Sequence, residues 1–423
     1  MRLRFLIVGG IVILLAGAAS ATYVTRHRFG GNVIGSSSGF GSTQTVRPPS
    51  PGRGLPSPMF GVAPDHLHLG VGHVRPPFRL DWVANGISLI EFPPALAFQH
   101  LYYATASGNL IALSTSNGKR LWTVRVNRCQ ASGPAVNTSR GGTVFETFLN
   151  PRSAGRCIAD PDNGLILAVA AGESHTVHWK RNLGASETSP TVVGRRVYIG
   201  TANGDVYCLH ADDGTTIWHY HVPAPVKGAI TYDRGKVFFG AYDGNVYALG
   251  AAAGKLIWRS SSAGGWGGRG HFYSTPAVAY SRVYLGSTDG KVYAFDERTG
   301  QLVWARTTGA YVYSSPAVYD RRVFIGSYDR VFYALDAATG KVDWTFQAAG
   351  PISGSAAVIG GLVYFSHLGS RGTRHTYALD TRTGRKVWSF RDGAYGSVAT
   401  DGSKLYVVGW GRIYAFSPRR RPG

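Results

Sequence analysis

The chain has 423 residues, of which 44% are hydrophobic, 57 are glycine and only two are methionine. This apolar fraction is enough for a large core, and the abundant glycine suits short strands joined by turns and disfavours a mainly helical fold. Lysine and arginine outnumber aspartate and glutamate by 44 to 23, a formal net charge of +21. A basic balance favours polyanionic neighbours, such as anionic lipids or acidic polymers, and says nothing about the fold.

The N-terminal segment is a candidate membrane anchor. Residues 5–25 form a charge-free and mostly apolar run, which as a helix would be about 31 Å long and could cross a bilayer core. Residues 19–21, Ala-Ser-Ala, instead resemble a signal-peptidase site, which would make the segment a cleaved signal. The apolar run continues beyond this site, so residues 1–25 are predicted to be an uncleaved transmembrane signal anchor. Under either alternative, the rest of the chain lies outside the cytoplasm.

Two segments separate the anchor from the rest of the chain. Residues 26–58 are rich in Gly, Ser and Pro, a composition that predicts a flexible linker because it cannot bury a core. Residues 59–80 contain apolar positions and are predicted to pack against the domain that follows. His66, His68 and His73 raise the alternative of a metal site, but no cysteine or carboxylate cluster accompanies them. No metal site is therefore predicted.

One sequence motif recurs along the remainder of the chain and is clearest at residues 331–344, VFYALDAATGKVDW. Its first residues have the β-branched and aromatic character of a strand. The Asp-x-x-Thr-Gly part predicts a tight turn, since Asp accepts backbone hydrogen bonds and Gly adopts a left-handed conformation. A second strand then carries a tryptophan. Copies of the motif, some degenerate, place tryptophans at Trp82, Trp122, Trp179, Trp218, Trp258, Trp304, Trp344 and Trp388. A period of about 40 residues built from short strands is typical of a propeller.

The strand pattern predicts eight blades of four strands each. The first, second and third strands of a blade each occur eight times, whereas fourth strands reach eight only if the isolated strand at Trp82 is included. The strand of Trp82 is therefore predicted to complete the last blade and close the ring. The propeller is expected to span residues 81–417 and to be followed by a basic tail, residues 418–423. Its tryptophans are expected to pack between neighbouring blades.

The motif YALDxxTGxxxW resembles the tryptophan-docking repeat of the PQQ-like β-propellers, which include quinoprotein dehydrogenases and BamB-like assembly scaffolds. The resemblance covers roughly residues 80–417 and implies an all-β, eight-bladed propeller in a membrane-anchored bacterial member of this family. A dehydrogenase of the family implies a vicinal Cys pair, an Asp base and calcium-ligating residues. The sequence has no Cys-Cys dipeptide and no defensible catalytic constellation. No catalytic residue and no cofactor are predicted, and PQQ stays an alternative without support from the sequence.

Two insertions mark one face of the predicted propeller. Residues 150–164 lengthen a loop of the second blade, and residues 260–274 lengthen the loop that enters the fifth blade. Because successive strands are antiparallel, both loops lie on the face that carries the channel mouth, where binding usually resides. The candidate binding residues are Glu91, Glu187, Lys227, Trp266, Arg269, His271, Phe272, Tyr273, Tyr313 and Tyr395. The alternative is that these side chains only fill the top of the channel.

The opposite face collects basic residues at the turns between strands. Arg321, Arg322 and Lys341 are examples, and turn aspartates such as Asp320 and Asp336 partly offset them. One explanation of these charges is that they keep the protein soluble. The other is a basic surface for an anionic membrane or polymer.

Cys129 and Cys157 are predicted to form a disulfide. Cys129 lies in the loop that enters the second blade and Cys157 lies in the insertion of that blade, so both loops share one face and their Cα atoms are expected within bonding range. A location outside the cytoplasm would let the bond persist. Cys208 occupies a strand position where the other repeats have Ala, and it is predicted to be a small buried filler.

Three classes of function remain open. The sequence favours a non-catalytic, monomeric scaffold that is tethered to the cytoplasmic membrane, lies outside the cytoplasm and binds an envelope protein or polymer. A PQQ-dependent oxidoreductase is the first alternative, and a cell-wall polymer binder or sensor is the second. No nucleic acid is predicted among the partners.

Overall fold

The computed structural model describes residues 31–48, 55–86, 88–153, 156–157, 160–264, 269–370 and 372–419. These residues form eight four-stranded antiparallel sheets, arranged as the blades of a β-propeller, and include no α-helix. Within this part of the chain, no helix is long and apolar enough to span a membrane. The predicted anchor, residues 1–25, lies outside the described residues, as does most of the predicted basic tail.

The strands are numbered β1 to β34 in chain order. The innermost strands are short and line the central channel: β2 (Ala95–Ala97), β6 (Ala135–Asn137), β12 (Thr191–Val193), β16 (Thr231–Asp233), β20 (Ala277–Ala279), β24 (Ala317–Tyr319), β28 (Ala357–Ile359) and β32 (Ala399–Thr400). The second strands are β3 (His100–Thr105), β7 (Thr143–Phe148), β13 (Arg196–Gly200), β17 (Lys236–Gly240), β21 (Arg282–Gly286), β25 (Arg322–Gly326), β29 (Leu362–Ser366) and β33 (Leu405–Val408).

The third strands are β4 (Asn109–Ser114), β10 (Leu165–Ala170), β14 (Asp205–His210), β18 (Asn245–Gly250), β22 (Lys291–Asp296), β26 (Val331–Asp336), β30 (His375–Asp380) and β34 (Arg412–Pro418). The outermost strands are β5 (Arg120–Arg125), β11 (Val177–Arg181), β15 (Thr216–His221), β19 (Leu256–Ser261), β23 (Leu302–Thr307), β27 (Val342–Gln347), β31 (Lys386–Arg391) and β1 (Phe78–Asn85). The remaining two, β8 (Arg152–Ser153) and β9 (Arg156–Cys157), form a hairpin in the insertion of blade 2.

The N-terminal strand completes the last blade, which confirms the closure that the strand count predicted. β1 pairs antiparallel with β34, with Trp82 opposite Ala415, so blade 8 has the order β1-β34-β33-β32. The innermost strands of blades 1 and 8, β2 and β32, are in contact. The ring is therefore closed, and the two ends of the propeller are held in one sheet.

The recurrent glycine and tryptophan join neighbouring blades. The Trp218 indole donates a hydrogen bond to the Ala251 carbonyl at 2.9 Å and packs on Gly254, where an added Cβ would lie 2.7 Å from the ring. Gly254 has a φ of +68°, so both the backbone and the contact require glycine there. The same kind of bond joins Trp82 to Thr115, Trp122 to Gly172, Trp179 to Ala211, Trp258 to Glu297, Trp304 to Ala337 and Trp344 to Thr381.

Trp388 differs because blade 8, on which it packs, is built from both ends of the chain. No Asp-x-x-Thr-Gly turn joins β34 to β1 there. Trp388 instead meets Phe78 at 5.2 Å and Phe416 at 5.7 Å between ring centroids, both edge-on. It also stacks on Phe390 at 6.0 Å. An aromatic cluster therefore replaces the turn where the ring closes.

Residues 55–74, here named the channel segment, contact the innermost strands or their turns in every blade. The middle residues of six innermost strands donate backbone hydrogen bonds to it: Leu96 to Ser57, Val136 to Pro58, Tyr232 to Pro64, Val278 to Asp65, Val318 to Leu67 and Val358 to His68. His66 reaches blade 3 with its Nε2 atom 3.0 Å from Thr191 Oγ1, and Gly72 packs closely on Gly402 of blade 8. The segment thus satisfies backbone groups that would otherwise face the channel, and it forms the channel floor.

Part of the stretch predicted as a flexible linker also packs on the propeller. Within residues 31–48, Val33 pairs with Ala305 of β23. The guanidinium of the buried Arg282 donates to two carbonyl oxygens of the same stretch. Residues 31–48 make these contacts through their main-chain groups, so the amino-acid composition of the stretch does not reveal them.

Cys129 and Cys157 form the predicted disulfide, with their Cα atoms 5.8 Å apart. The bond joins the loop that enters blade 2 to the β8–β9 hairpin. Cys208 is unpaired and buried, as predicted. Burial raises the pKa of its thiol to about 11, so it stays protonated and unreactive at neutral pH.

Candidate binding site at the channel mouth

Six of the predicted residues come together at the end of the channel opposite the floor, here named the mouth. They are contributed by the loops that enter the innermost strands of blades 1, 3, 4, 5, 6 and 8: Glu91, Glu187, Lys227, Tyr273, Tyr313 and Tyr395. The repeat places one such entrance in each blade. Residues far apart in the chain therefore converge around a single axis.

One side of the mouth holds an ion pair between tyrosines. Lys227 Nζ lies 2.8 Å from Glu187 Oε1 and 5.1 Å from the centroid of the Tyr242 ring. The Tyr273 hydroxyl donates to Glu187 Oε2 at 3.3 Å. The Glu187 and Lys227 side chains are only 10% and 17% exposed, so solvent screens this pair less than it screens a surface pair.

Tyrosines continue around the mouth from blade 5 to blade 8, and Tyr273, Tyr313, Tyr328 and Tyr395 are here named the tyrosine arc. Tyr273 meets Tyr313 edge-on at 5.5 Å, and Tyr313 meets Tyr328 at 5.1 Å between ring centroids. Burial is the main cause that raises the pKa of all four hydroxyls, and Tyr395 also raises the pKa of Tyr328 through its charge. The arc therefore stays neutral at physiological pH and offers ring faces and hydroxyl groups.

Glu91 is the second carboxylate of the mouth. Among the residues that the structure describes, none makes a hydrogen bond or an ion pair with its carboxylate. Burial, and to a smaller extent the charge of Glu187, raises the pKa of Glu91 to about 7. The pKa values of Tyr273, Tyr328 and Tyr395 are raised mainly by burial and further by the Glu91 charge, which places Glu91 beside the tyrosine arc.

Phe272 belongs to the core, which corrects its prediction as a binding residue. Its side chain is fully buried against Gly240, where an added Cβ would lie 2.3 Å from the Phe272 Cβ atom. Val226, Val312 and Ile352 pack in the same way on Gly200, Gly286 and Gly326. Phe272 is therefore the apolar residue that each of these loops inserts between two blades, and it is not available to a partner.

Arg269 and His271 are exposed beside the mouth. The His271 ring stacks on Tyr242 at 5.0 Å between centroids, and its backbone N–H donates to Thr288 Oγ1 at 2.8 Å. Arg269 lies next to Gly244 in blade 4. Trp266 lies outside the described residues, so its role stays a prediction.

Sequence reasoning missed Tyr242 and Tyr328, which lie in loops between second and third strands on the mouth face. A signal for them existed in the repeat. Gly-x-Tyr-Asp occurs at residues 240–243 and again at 326–329, so both tyrosines occupy the same position of their blades. Their loops are short, so loop length does not single them out.

Comparison with known proteins finds sequence similarity to one family over part of the chain. A family model described as "Outer membrane protein assembly factor BamB" matches residues 162–310 and 242–365. The curated outer membrane protein assembly factor BamB of Salmonella typhimurium (strain LT2) is 30% identical over 128 residues, which are 30% of this chain and 31% of that protein. The match thus spans about a third of the length of this curated relative.

Solved structures with the same architecture include a BamB protein and dehydrogenases. BamB from Moraxella catarrhalis has a TM-score of 0.62 and 18% identity, covering 80% of this chain and 99% of that chain. A quinohemoprotein alcohol dehydrogenase from Pseudomonas putida HK5 has a TM-score of 0.68 and 13% identity, covering 87% and 82%. A europium-containing methanol dehydrogenase has a TM-score of 0.69 and 14% identity, covering 86% and 98%.

At sequence identities of 13–18%, the similarity to these solved structures shows a shared fold and not a shared function. The repeats of this chain form an eight-bladed β-propeller. The matches to the BamB family model lie within residues 162–365, just under half of the chain, and the curated BamB aligns with 30% of the chain, so the sequence is similar to BamB over that part.

Proposed function

We propose that this chain is a non-catalytic scaffold that holds a partner protein on the mouth face of its propeller. The observation that carries the proposal is the concentration of tyrosines around the end of the channel opposite the floor. Tyr311, which is 43% exposed and lies 5.9 Å from Tyr313, extends the arc to the surface. Tyrosine and arginine anchors dominate the energetics of protein interfaces, and Arg269 and His271 lie at the same rim.

The closed floor also favours the mouth as the place of contact. The channel segment fills the other end with buried side chains that include Leu67, Leu69 and Val71. A ligand therefore approaches the axis from the mouth face. The curated relative is described as an assembly factor, and an interaction with another envelope protein is the corresponding role for this chain.

A position outside the cytoplasm is part of the proposal. The Cys129–Cys157 disulfide supports it, because such bonds persist in oxidising compartments. The apolar run at residues 5–25 supports it as well, and it would tether the propeller to the membrane.

The quinone-dependent oxidoreductase has weaker support at the mouth. PQQ carries three carboxylates, whereas the mouth supplies Glu91 and Glu187, and the Lys227 ammonium is already paired with Glu187. The three cysteines include no adjacent pair that could stack on a quinone. The residues present do not fit this cofactor, and no redox step is derived.

Site-specific photo-crosslinking in intact cells tests the scaffold. A photoreactive amino acid replaces Tyr311 on the mouth face or, as the matched control, the exposed Lys341 on the opposite face. We expect position 311 to capture one defined envelope protein and position 341 to leave it uncaptured. Capture of that protein from position 341 alone would overturn the assignment of the face, and capture from neither position would overturn the scaffold.

A further inference from the structure

Among the described residues, the mouth contains two partly buried carboxylates, and only one of them is paired with a cation. Glu187 has the Lys227 ammonium at 2.8 Å, which also lies over the Tyr242 ring. Glu91 lies against the loop of Tyr395, where a Cβ added at Gly396 would be 3.1 Å from the Glu91 carbonyl oxygen, and it has no cationic partner in the described part of the chain. The protein thus shows one complete carboxylate–cation–tyrosine arrangement and, beside it, a second arrangement that lacks the cation.

We propose that the mouth binds an organic cation, the ammonium or guanidinium group of a partner's lysine or arginine side chain, between Glu91 and the tyrosine arc. This inference rests on the proposed function and states which chemistry of the partner the site recognises.

The chemistry of the site suits a cation. A carboxylate forms strong charge-assisted hydrogen bonds with ammonium and guanidinium groups. Faces of aromatic rings attract the same groups, more strongly where solvent is excluded. Tyr273, Tyr328 and Tyr395 interact with the Glu91 charge, so a cation that pairs with Glu91 also lies among these rings.

An unpaired carboxylate that is partly removed from solvent is energetically unfavourable, and a bound cation reduces that cost. A charge taken out of water without a partner shifts toward its neutral form. Glu91 follows this rule, since burial first and Glu187 second raise its pKa to about 7. A bound ammonium group would restore the ionised form of Glu91 and would offset its repulsion by Glu187.

Other ligand classes fit less well. An anion would face Glu91 and Glu187, which repel it. A neutral sugar would leave the Glu91 charge uncompensated. The net charge of the chain is +21, but two cations near the mouth are already paired. Lys227 is paired with Glu187, and Arg374 of blade 7 is paired with Asp392 at 2.7 Å. Their repulsion of a bound cation is therefore reduced.

A side chain suits the site better than a free amine does. The channel segment closes the axis below the mouth, where Phe60 lies 5.7 Å from Phe92 between ring centroids. A side chain can approach Glu91 from the mouth face while its backbone contacts the rim, where Tyr311 and Arg269 are exposed.

The proposal has a pH signature. Only ionised Glu91 pairs with a cation, so affinity should rise by about tenfold from pH 6 to pH 8 as a group of pKa about 7 ionises. The Glu187 charge acts on Glu91, and the Glu91 charge acts on Tyr273, Tyr328 and Tyr395. Lys227 is paired with Glu187, and the Arg374 charge acts on Tyr395. The raised pKa values of the tyrosines keep them neutral over this range.

Titration calorimetry on the full-length protein tests the site with three probes. The first is acetyl-Gly-Lys-Gly-amide, the second is the same peptide with norleucine in place of lysine, and the third is n-butylamine. We expect the lysine peptide to bind at least about tenfold more tightly than either of the others, since norleucine lacks the charge and butylamine lacks the backbone. Equal binding of the lysine and norleucine peptides would overturn the cation site. Equal binding of butylamine would assign the site to a free amine and overturn the partner side chain.

Glu91→Gln is the matched variant, and Glu173→Gln, at an exposed position on the opposite face, is its control. We expect Glu91→Gln to weaken the lysine peptide by about tenfold and to abolish the rise between pH 6 and pH 8, while Glu173→Gln changes neither. An unchanged affinity and pH profile in Glu91→Gln would refute the proposal, and the pH profile of the unsubstituted protein tests it independently of any variant. If Tyr311 still captures its envelope protein while no lysine peptide binds, the scaffold stands and the cation site fails. The reverse pattern removes the scaffold and leaves the cation site.

Discussion

The two ends of the channel are built from the same eight repeats and differ in what satisfies their polar groups. At the floor, main-chain groups of the channel segment accept hydrogen bonds from six innermost strands, and apolar side chains fill the remaining space. At the mouth, side chains meet one another, and the Glu91 carboxylate has no partner among the described residues. The floor is thus completed by the chain itself, whereas the mouth leaves one carboxylate without a partner in the described part of the chain.

The difference between floor and mouth indicates which parts of a repeat protein can change in sequence. The innermost strands must satisfy their backbone groups whatever the function is, so the floor is a structural requirement. The loops that enter these strands carry no such requirement, and their side chains are free to form a site. The turns of the opposite face are partly neutralised by ion pairs such as Lys236–Glu297 and Arg322–Asp343. A role of this face in binding an anionic surface stays a prediction.

The largest expected effect comes from removing the floor together with the closing strand. Deletion of residues 1–90 removes the channel segment and β1, so blade 8 loses its outermost strand and the inner backbone groups lose their partners. We expect no cooperative thermal unfolding transition for this variant by circular dichroism. Deletion of residues 1–30 should leave the melting temperature within a few degrees of that of the full chain, and equal behaviour of the two deletions would contradict the closure.

Two alanine substitutions compare how much the floor and the mouth of the channel contribute to stability. Leu69 of the floor is 1% exposed and Tyr311 of the mouth is 43% exposed. Leu69→Ala should lower the free energy of unfolding by about 2–5 kcal/mol, because it leaves a cavity in the core. Tyr311→Ala should change it by about 0.5 kcal/mol or less. Urea unfolding monitored by tryptophan fluorescence measures both values, and a larger loss for Tyr311→Ala would mean that the mouth, too, is mainly structural.

The smallest effect concerns acid, to which the floor should be sensitive. Burial, and then the charge of His66, lowers the pKa of His68 to about 3. Because the unfolded chain binds this proton more strongly, stability that is fully present above the ordinary histidine pKa of 6.5 is lost as the pH falls toward 3.

His68→Leu should therefore shift the acid-unfolding midpoint downward by about half a pH unit. The shift is measured by fluorescence along a pH titration, with His73→Gln, at an exposed position, as the matched control. A midpoint that moves equally in both variants would show that the buried histidine is not responsible.

Much of the architecture could be predicted because the repeat is local and periodic. The Asp-x-x-Thr-Gly turn and the tryptophan lie within one repeat, so each copy of the motif predicts the strands of its own blade. The number of outermost strands then predicts how the ring closes. The same register places residues at the channel mouth, which is how Glu91, Glu187 and Lys227 could be named in advance. The disulfide followed from the same argument, since two loops of one blade share one face.

The insertions and the N-terminal region obey no such periodicity. The greater length of the fifth-blade loop hides the equivalence of Phe272 to Val226 and Val312, so the sequence predicts a surface residue where the structure has a core residue. The course of the channel segment depends on main-chain hydrogen bonds to strands that lie up to about 300 residues away in the chain. Composition records neither these bonds nor the packing of residues 31–48.

By itself, the sequence determined the eight blades, their order, the closing strand and the residues that surround the mouth, because short-range turn and strand preferences repeat in phase. Only the tertiary structure decided which of these residues have partners. Lys227 neutralises Glu187, and Glu91 is left beside the tyrosine arc without a cation in the described chain. Pairing of charges depends on distances between side chains of different blades, and no periodicity along the chain encodes those distances.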